Sequence, residues 1–436
     1  MSRRKIYDKD NTYSTLKYIV DLYVHASFRK IRYEGRENLP RDGAVILAPN
    51  HCDALMDPMA VLAMDKRAKV FVARADIFQN PVLLKLLTFL KMMPIHRIRD
   101  GFRKVLATED TLEKSVEVLN NKVPFCILPE GMHRPMHSLL PLGKGISRIA
   151  LRADKALEGK SHVYIVPIGC EYGDYFRYRS TLLVSIGRPI DVSAYIEANP
   201  EKSEPELLTD IRDLTAEGMR REIVYIPDDE DYAPTWELAK LSSGHVPERR
   251  LRERMEASRK AIRQIGALRE KAPEKARELF DKVNAFMADR RAARVSLHSV
   301  NTCSPFGMAL WRTLTVLLSA PVVAVMATAS LPAWGVGEWL ARRGQDRAFR
   351  NSFRFVTLFL LWTLLLIVWA VVLLCKLKWY WALAAIAVLI PAPQWSYQWV
   401  EQLRRCVSSW RWLGNGRLRR KKEELMEAWK KLKTNE

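Results

Sequence analysis

The chain is poor in acidic residues and in cysteines placed to act together. Of its 436 residues, 49 are Asp or Glu against 70 Lys or Arg, a formal net charge of +21. A surplus of that size predicts an anionic partner: a phosphate-bearing substrate, nucleic acid or anionic lipid. The six cysteines (Cys52, Cys126, Cys170, Cys303, Cys375 and Cys406) lie far apart and form no CxxC pair. That argues against both a zinc site and a disulfide framework, and reduced, cytoplasm-facing thiols are the simplest reading. The opening "MSRRKIYDKDNTYS" has basic residues with no apolar core behind them, so a cleaved signal peptide is not expected. Internal repeats and low-complexity tracts are absent as well. What remains, 48% hydrophobic and 27% charged, is the composition of a folding chain long enough for two or three domains.

Long uncharged runs are present, and they fall in the second half. Residues 355–375, "FVTLFLLWTLLLIVWAVVLLC", carry no charge and are long enough to cross a bilayer. After "KLK", the segment 379–400 has tryptophans at both ends and predicts a return crossing. A third apolar block, 313–335, holds Pro321 and Pro332 and reads as one span or a re-entrant wedge. Arginines in "ARRGQDRAFRNSFR" mark a cytoplasmic loop. With the basic tail 401–436 and the amino-terminal domain both inside, an even number of crossings is needed, which favours the wedge. Residues 231–300 form a charged helical zone, read as two amphipathic helices restarted by Pro273; a solvated face explains their charge more simply than lipid contact does. Residues 12–32, within a first segment 1–33, predict an amphipathic helix lying against the bilayer.

Between these, residues 34–230 predict an α/β domain with a mixed sheet flanked by helices. Apolar runs at 44–48, 69–73, 124–128, 163–168 and 182–187 alternate with helical patterns at 102–121 and 143–157. In such sheets ligands bind beyond the carboxyl ends of strands, where His51 follows "AVILA". Four segments then stand in order: "NHCDALMDP" (50–58), "MPIHRIRD" (93–100), "LPEGMHR" (128–134) and "IVPIGCEY" (165–172). Together they resemble the phospholipid/glycerol acyltransferase family, with its Asn-His…Asp, Ile-Pro-x-x-Arg, Phe-Pro-Glu-Gly and Val-Pro-Ile/Val boxes. The resemblance covers roughly residues 30–230. Five residues, Cys52 to Met56, separate His51 from Asp57 where the family has four; the longer spacing is similar to that of a subgroup with carboxy-terminal membrane helices.

The resemblance implies acyl transfer from acyl-CoA or acyl carrier protein to glycerol 3-phosphate or lysophosphatidate, giving phosphatidate in the second case. A base must take the hydroxyl proton, and a histidine suits that task near neutral pH. His51 is the candidate base. Asp57 is the carboxylate that fixes its tautomer, with Asp53 as a rival. For substrate binding the boxes supply Asn50, Arg97, Glu130, Gly131 and Arg134, with Lys144 at a predicted helix start adding to phosphate attraction. No metal, organic cofactor or nucleic-acid partner is called for. Duller readings stand beside these: Asp57 before Pro58 as a helix cap, and His96, His133 and His137 as structural, since Pro135 spoils a helical metal pair. Two rival functions are a metal-dependent hydrolase using His51, Asp53, Asp57 and His133, and a basic membrane-anchored adaptor with no catalysis.

Overall fold

The computed structural model describes residues 5–95, 105–244, 246–248 and 250–434. Its contacts divide into two units, Met1–Phe176 with Leu182–Ile223, and Arg177–Thr181 with Val224–Glu436.

The first unit opens with α1 (Asn11–Ser27), begun where Asp10 accepts the N–H of Tyr13, one of the donors a helix start leaves unpaired. The helix ends there and does not run on to residue 32. Phe28 is extended, and "KIRYE" is instead strand β1 (Lys30–Glu34). There follow β2 (Ala44–Pro49), α2 (Met56–Leu62), β3 (Val70–Arg74), α3 (Pro81–Phe89), β4 (Met92–Ile95) and α4 (Val105–Asn120). Next come β5 (Phe125–Cys126), α5 (Gly145–Leu157), β6 (Val163–Tyr172), β7 (Thr181–Ile186), β8 (Ile190–Asp191), α6 (Val192–Glu197) and α7 (Glu204–Glu222).

Among the described residues the strands form one sheet in the order β1-β7-β6-β2-β5-β3-β4, with β8 also on β6. It is mixed: β2 runs parallel to β5 and β6, and β3 parallel to β4 and β5, while β7 and β8 run antiparallel to β6. Strand β2 lies at its centre and all six of its residues are buried. A strand covered on both faces has no polar side to show, which is why "AVILAP" does not alternate. Helices α4, α5 and α7 cover one face, bringing Val118, Leu119, Ile146, Ile149, Ile211 and Met219 into one core with Ile46, Val163 and Ile165. Gly169 lets α7 come close to β6, because a Cβ there would lie 2.2 Å from the carbonyl oxygen of Glu222.

The second unit is helical among its described residues: α8 (Tyr232–Ser242), α9 (Leu251–Lys271), α10 (Pro273–Ala292), α11 (Leu297–Val300), α12 (Pro305–Arg343), α13 (Arg350–Thr357), α14 (Thr363–Lys376), α15 (Trp379–Leu389), α16 (Ala392–Gly414) and α17 (Gly416–Thr434). Pro273 stands at the start of α10, where a missing N–H costs nothing. Leu238, Ile265, Leu279, Phe286, Leu425 and Trp429 join α8, α9, α10 and α17 in one core.

Among the described residues two helices are long and apolar enough to cross a membrane, Pro305–Arg343 and Arg347–Lys376, the latter joining α13 to α14 through a π-helical turn at Leu358–Trp362. This differs from the expected pairing of 355–375 with 379–400. The return segment is broken at Pro391, between α15 and α16, and the eleven residues of α15 reach only about 16 Å, half of a hydrocarbon core. Block 313–335, in turn, is the middle of the continuous α12, with Pro321 and Pro332 inside it.

Candidate active site

The site begins where β2 ends. Asn50 is buried; its Oδ1 accepts the N–H of Cys170 at 2.6 Å and its amide donates to Cys170 O at 3.4 Å and Cys52 Sγ at 3.1 Å. Its side chain therefore clamps the exit of β2 to β6, the geometry of a strand brace and not of a substrate ligand. The next residue, His51, has both backbone groups held. Its N–H donates to Glu130 Oε1 at 2.7 Å, and its C=O accepts from Arg134 N at 2.9 Å.

Past His51 the chain turns sharply, with Ala54 in the left-handed region at φ 34°. The turn returns Asp57 beneath the residues it has just left. Asp57 is fully buried, and its Oδ2 accepts from Cys52 N at 2.7 Å, Asp53 N at 2.8 Å and His51 Nδ1 at 2.9 Å. Oδ1 accepts the hydroxyl of Tyr172 at 2.6 Å. A carboxylate oxygen already facing two N–H groups can only accept, so Nδ1 of His51 carries a hydrogen, and in the neutral ring Nε2 is the nitrogen that keeps a lone pair. Of the two aspartates in the opening box, it is Asp57 that His51 meets. Asp57 lies inside the first turn of α2, whose cap is Leu55, so it is not the helix cap its place before Pro58 suggested.

Glu130 is the second support. While Oε1 holds the backbone of His51, Oε2 accepts from Leu140 N at 2.8 Å, so one carboxylate ties the β2 exit to the loop after β5. Burial pushes this carboxyl up to about 7. Gly131 is left-handed at φ 66° with open space around it, so backbone conformation is what calls for glycine there. Burial and the facing Asp57 carboxylate push the Tyr172 hydroxyl well above its ordinary value, keeping it a donor.

The other expected residues divide. Arg97 and His96 lie outside the described residues. Arg134 donates its backbone N–H to His51 and Nη2 to Ser138 Oγ at 3.2 Å. Lys144 precedes α5 as expected, and its Nζ donates to Thr209 Oγ1 at 3.0 Å; the adjacent Gly143 is tied to Pro129 O at 3.0 Å, which keeps this loop beside the third box. His137 is buried between Glu171 Oε1 at 3.1 Å and Tyr175 Oη at 3.0 Å, the structural role expected of it.

His133, expected to be structural or a ligand of the rival metal site, and Tyr172, to which the sequence assigned no role, both stand beside the His51–Asp57 pair. His133 sets its ring edge-to-face on that of His51, 5.3 Å between centroids. Tyr172 closes the far side of Asp57, and the period of two along β6 was the signal available, since it puts Cys170 and Tyr172 on one face. Among the described residues no group of three or more His, Cys, Asp or Glu is arranged to hold a metal ion.

Residues 30–171 match the family model described as Acyltransferase. No curated protein matches the chain. Among solved structures the chain is similar to the crystal structure of the 1-acyl-sn-glycerophosphate (LPA) acyltransferase, PlsC, from Thermotoga maritima, at 20% identity over 49% of this chain and 82% of that one, with a TM-score of 0.35. The family match thus falls on the amino-terminal domain, where it identifies an acyltransferase domain over residues 30–171.

Proposed function

We propose that the protein is a membrane-bound O-acyltransferase that moves a fatty acyl group from acyl-CoA or acyl carrier protein to a glycerophosphate acceptor, 1-acyl-sn-glycerol 3-phosphate in the first instance. The observation that carries this reading is the His51 Nδ1 to Asp57 Oδ2 hydrogen bond at 2.9 Å, which leaves Nε2 as the ring nitrogen turned away from the buried carboxylate.

In the reaction the acceptor hydroxyl gives its proton to Nε2 of His51 as its oxygen attacks the thioester carbonyl carbon. Asp57, held by three further donors, stabilises the imidazolium that forms. The tetrahedral intermediate then collapses, the C–S bond breaks, and the thiolate takes the proton back from His51. An ester and a free thiol result, with no covalent enzyme intermediate. Glu130 and Asn50 act by fixing the backbone on either side of His51, a positioning role. Arg97, Arg134 and Lys144 are the candidate phosphate ligands, since guanidinium and ammonium groups meet phosphate with charge-assisted hydrogen bonds.

The domain that carries this chemistry, residues 34–230, faces the cytoplasm in this reading, anchored by the apolar helices of residues 301–400 and with α1 against the bilayer. The test uses purified protein in nanodiscs with labelled acyl-CoA, offered glycerol 3-phosphate and 1-acylglycerol 3-phosphate in parallel. Phosphatidate made only from the monoacyl acceptor, and lost in both His51→Ala and Asp57→Asn, supports the reading. Acylation of glycerol 3-phosphate instead moves the enzyme to the preceding step. No transfer to either acceptor, with variants and wild type alike, refutes it.

A further inference from the structure

Helix α3 has no place in the chemistry above, and its surface is unusual for a protein of this charge. None of its nine residues is buried, and Val82, Leu83, Leu84 and Leu86 are 73%, 44%, 42% and 48% exposed. A helix advances about 100° per residue, so Val82, Leu83 and Leu84 point to three different sides. A helix covered by a protein partner shows one apolar stripe, whereas the exposed apolar residues of α3 spread around all of it but the side of Lys85 and Thr88, a breadth suited to a uniformly apolar medium. Its size points the same way. At about 14 Å long and 10 Å across, it offers roughly 200 Å² to any one side, against the 800 Å² or so that each partner contributes to a stable protein interface.

The surroundings fit a lipid surface. From Ile77 to Ile95 the sequence contains no Asp or Glu, and Lys85 is the one charged residue within α3, a long side chain able to carry its ammonium out to headgroups. Phe89 at the end of α3 packs edge-on against Tyr13 of α1 at 6.4 Å between centroids, and α1 exposes Tyr18, Ile19 and Leu22 in turn. Among the described residues the chain also has two helices able by length and composition to cross a membrane. Finally, α3 follows β3, which is parallel through β5 to β2. It therefore starts at the carboxyl edge of the sheet, the edge that presents His51.

We infer that α3 is immersed in the bilayer, docking the edge of the acyltransferase domain that bears His51 onto the membrane surface. The consequence for the reaction rests on the function proposed above: a lipid acceptor can then reach His51 without leaving its leaflet. The immersion itself does not rest on it.

Depth-dependent quenching tests the immersion independently of catalysis. The full chain, with exposed Cys303 and Cys375 changed to Ser, receives an environment-sensitive fluorophore at Leu84→Cys or Val82→Cys. The comparison is Lys160→Cys, in the turn before β6 at the amino edge of the sheet. Each is reconstituted in phosphatidylcholine vesicles with a minority of phosphatidylglycerol, with and without nitroxide-bearing acyl chains. Strong quenching at positions 82 and 84, with little at 160, is the expected result. Labels at 82 and 84 that are unquenched overturn the inference, whether their emission reports water or a protein contact. In the activity arm, Leu83→Lys with Leu84→Lys lowers transfer to a long-chain acceptor in vesicles several-fold and spares a short-chain soluble one. If no transfer occurs in any arm, the functional reading fails while the quenching result stands.

Discussion

Glu130 and His51 are joined through the backbone: one carboxylate oxygen accepts the N–H of His51 at 2.7 Å while the other accepts that of Leu140 at 2.8 Å. Both acceptors are needed at once. Glu130→Gln keeps one acceptor oxygen and turns an NH₂ group toward the other N–H, so one buried donor goes unmet, at about 1–3 kcal/mol. The expected outcome is a folded variant with acyl-transfer kcat reduced tenfold or more and KM for the thioester little changed. Glu130→Ala, which releases both N–H groups, is expected to be worse on both counts. Steady-state kinetics beside thermal melts of the three proteins check this.

The same residue makes stability depend on pH. Burial raises its folded-state carboxyl from 4.5 to about 7, so the unfolded chain releases that proton first as pH rises. The contribution to stability is complete below about 4.5 and is lost as pH passes through about 7. At about 1.4 kcal/mol per pH unit, wild type should lose up to about 3 kcal/mol relative to Glu130→Gln between pH 5 and pH 8. Denaturant midpoints of both proteins across that range give the difference directly. A gap that stays constant with pH refutes the assignment.

Asp57→Asn tests the counter-charge that Asp57 gives His51. An asparagine keeps its carbonyl oxygen toward Cys52 N, Asp53 N and His51 Nδ1, since its NH₂ would face two backbone N–H groups there, but it carries no charge, so the imidazolium formed in the reaction loses its counter-charge. A general base contributes about 10²–10⁴-fold, and a loss of that order in kcat is expected, matching His51→Ala. Tyr172→Phe removes one of the four donors to Asp57 and leaves the His51 contact in place. It should cost only a few-fold, and the contrast between the two variants separates loss of the charge beside His51 from general weakening of the site.

Much of this arrangement was readable in the chain because it is local. The run 44–48 marks a strand covered on both faces, and the boxes after it put His51, Asp57 and Glu130 at strand ends. What was missed is non-local or short. Strand β1 hides in the "KIRYE" run because its half-buried residues carry no apolar alternation. Strand β4, Met92–Ile95, overlaps the start of the second box, whose apolar residues read as motif. The choice between Asp53 and Asp57 depended on the left-handed turn at Ala54, which no propensity announces. Glu130 was expected to bind substrate, and its grip on the His51 backbone is a contact between distant segments. In the second unit, length decided where composition could not: α15 is as apolar as a span yet stops at Pro391, and α12 runs through both of its prolines.

Arg290 and Glu237 offer a test away from the site. Both are buried, and Glu237 accepts from Arg290 Nε at 2.5 Å and Nη2 at 2.8 Å, while Nη1 donates to Val295 O at 2.8 Å. This pairing ties α10 to α8 inside the helical core. Removing one partner strands the other charge away from water, which costs about 3–5 kcal/mol, whereas replacing both with apolar groups of similar volume is often neutral or better. Arg290→Met alone should therefore lower the unfolding midpoint sharply, and Arg290→Met with Glu237→Leu should restore most of the loss. Denaturant melts of the two variants in one detergent decide it. If the double variant is as unstable as the single one, the pair contributes through geometry that apolar packing cannot replace, and the bidentate hydrogen bonds hold α8 against α10.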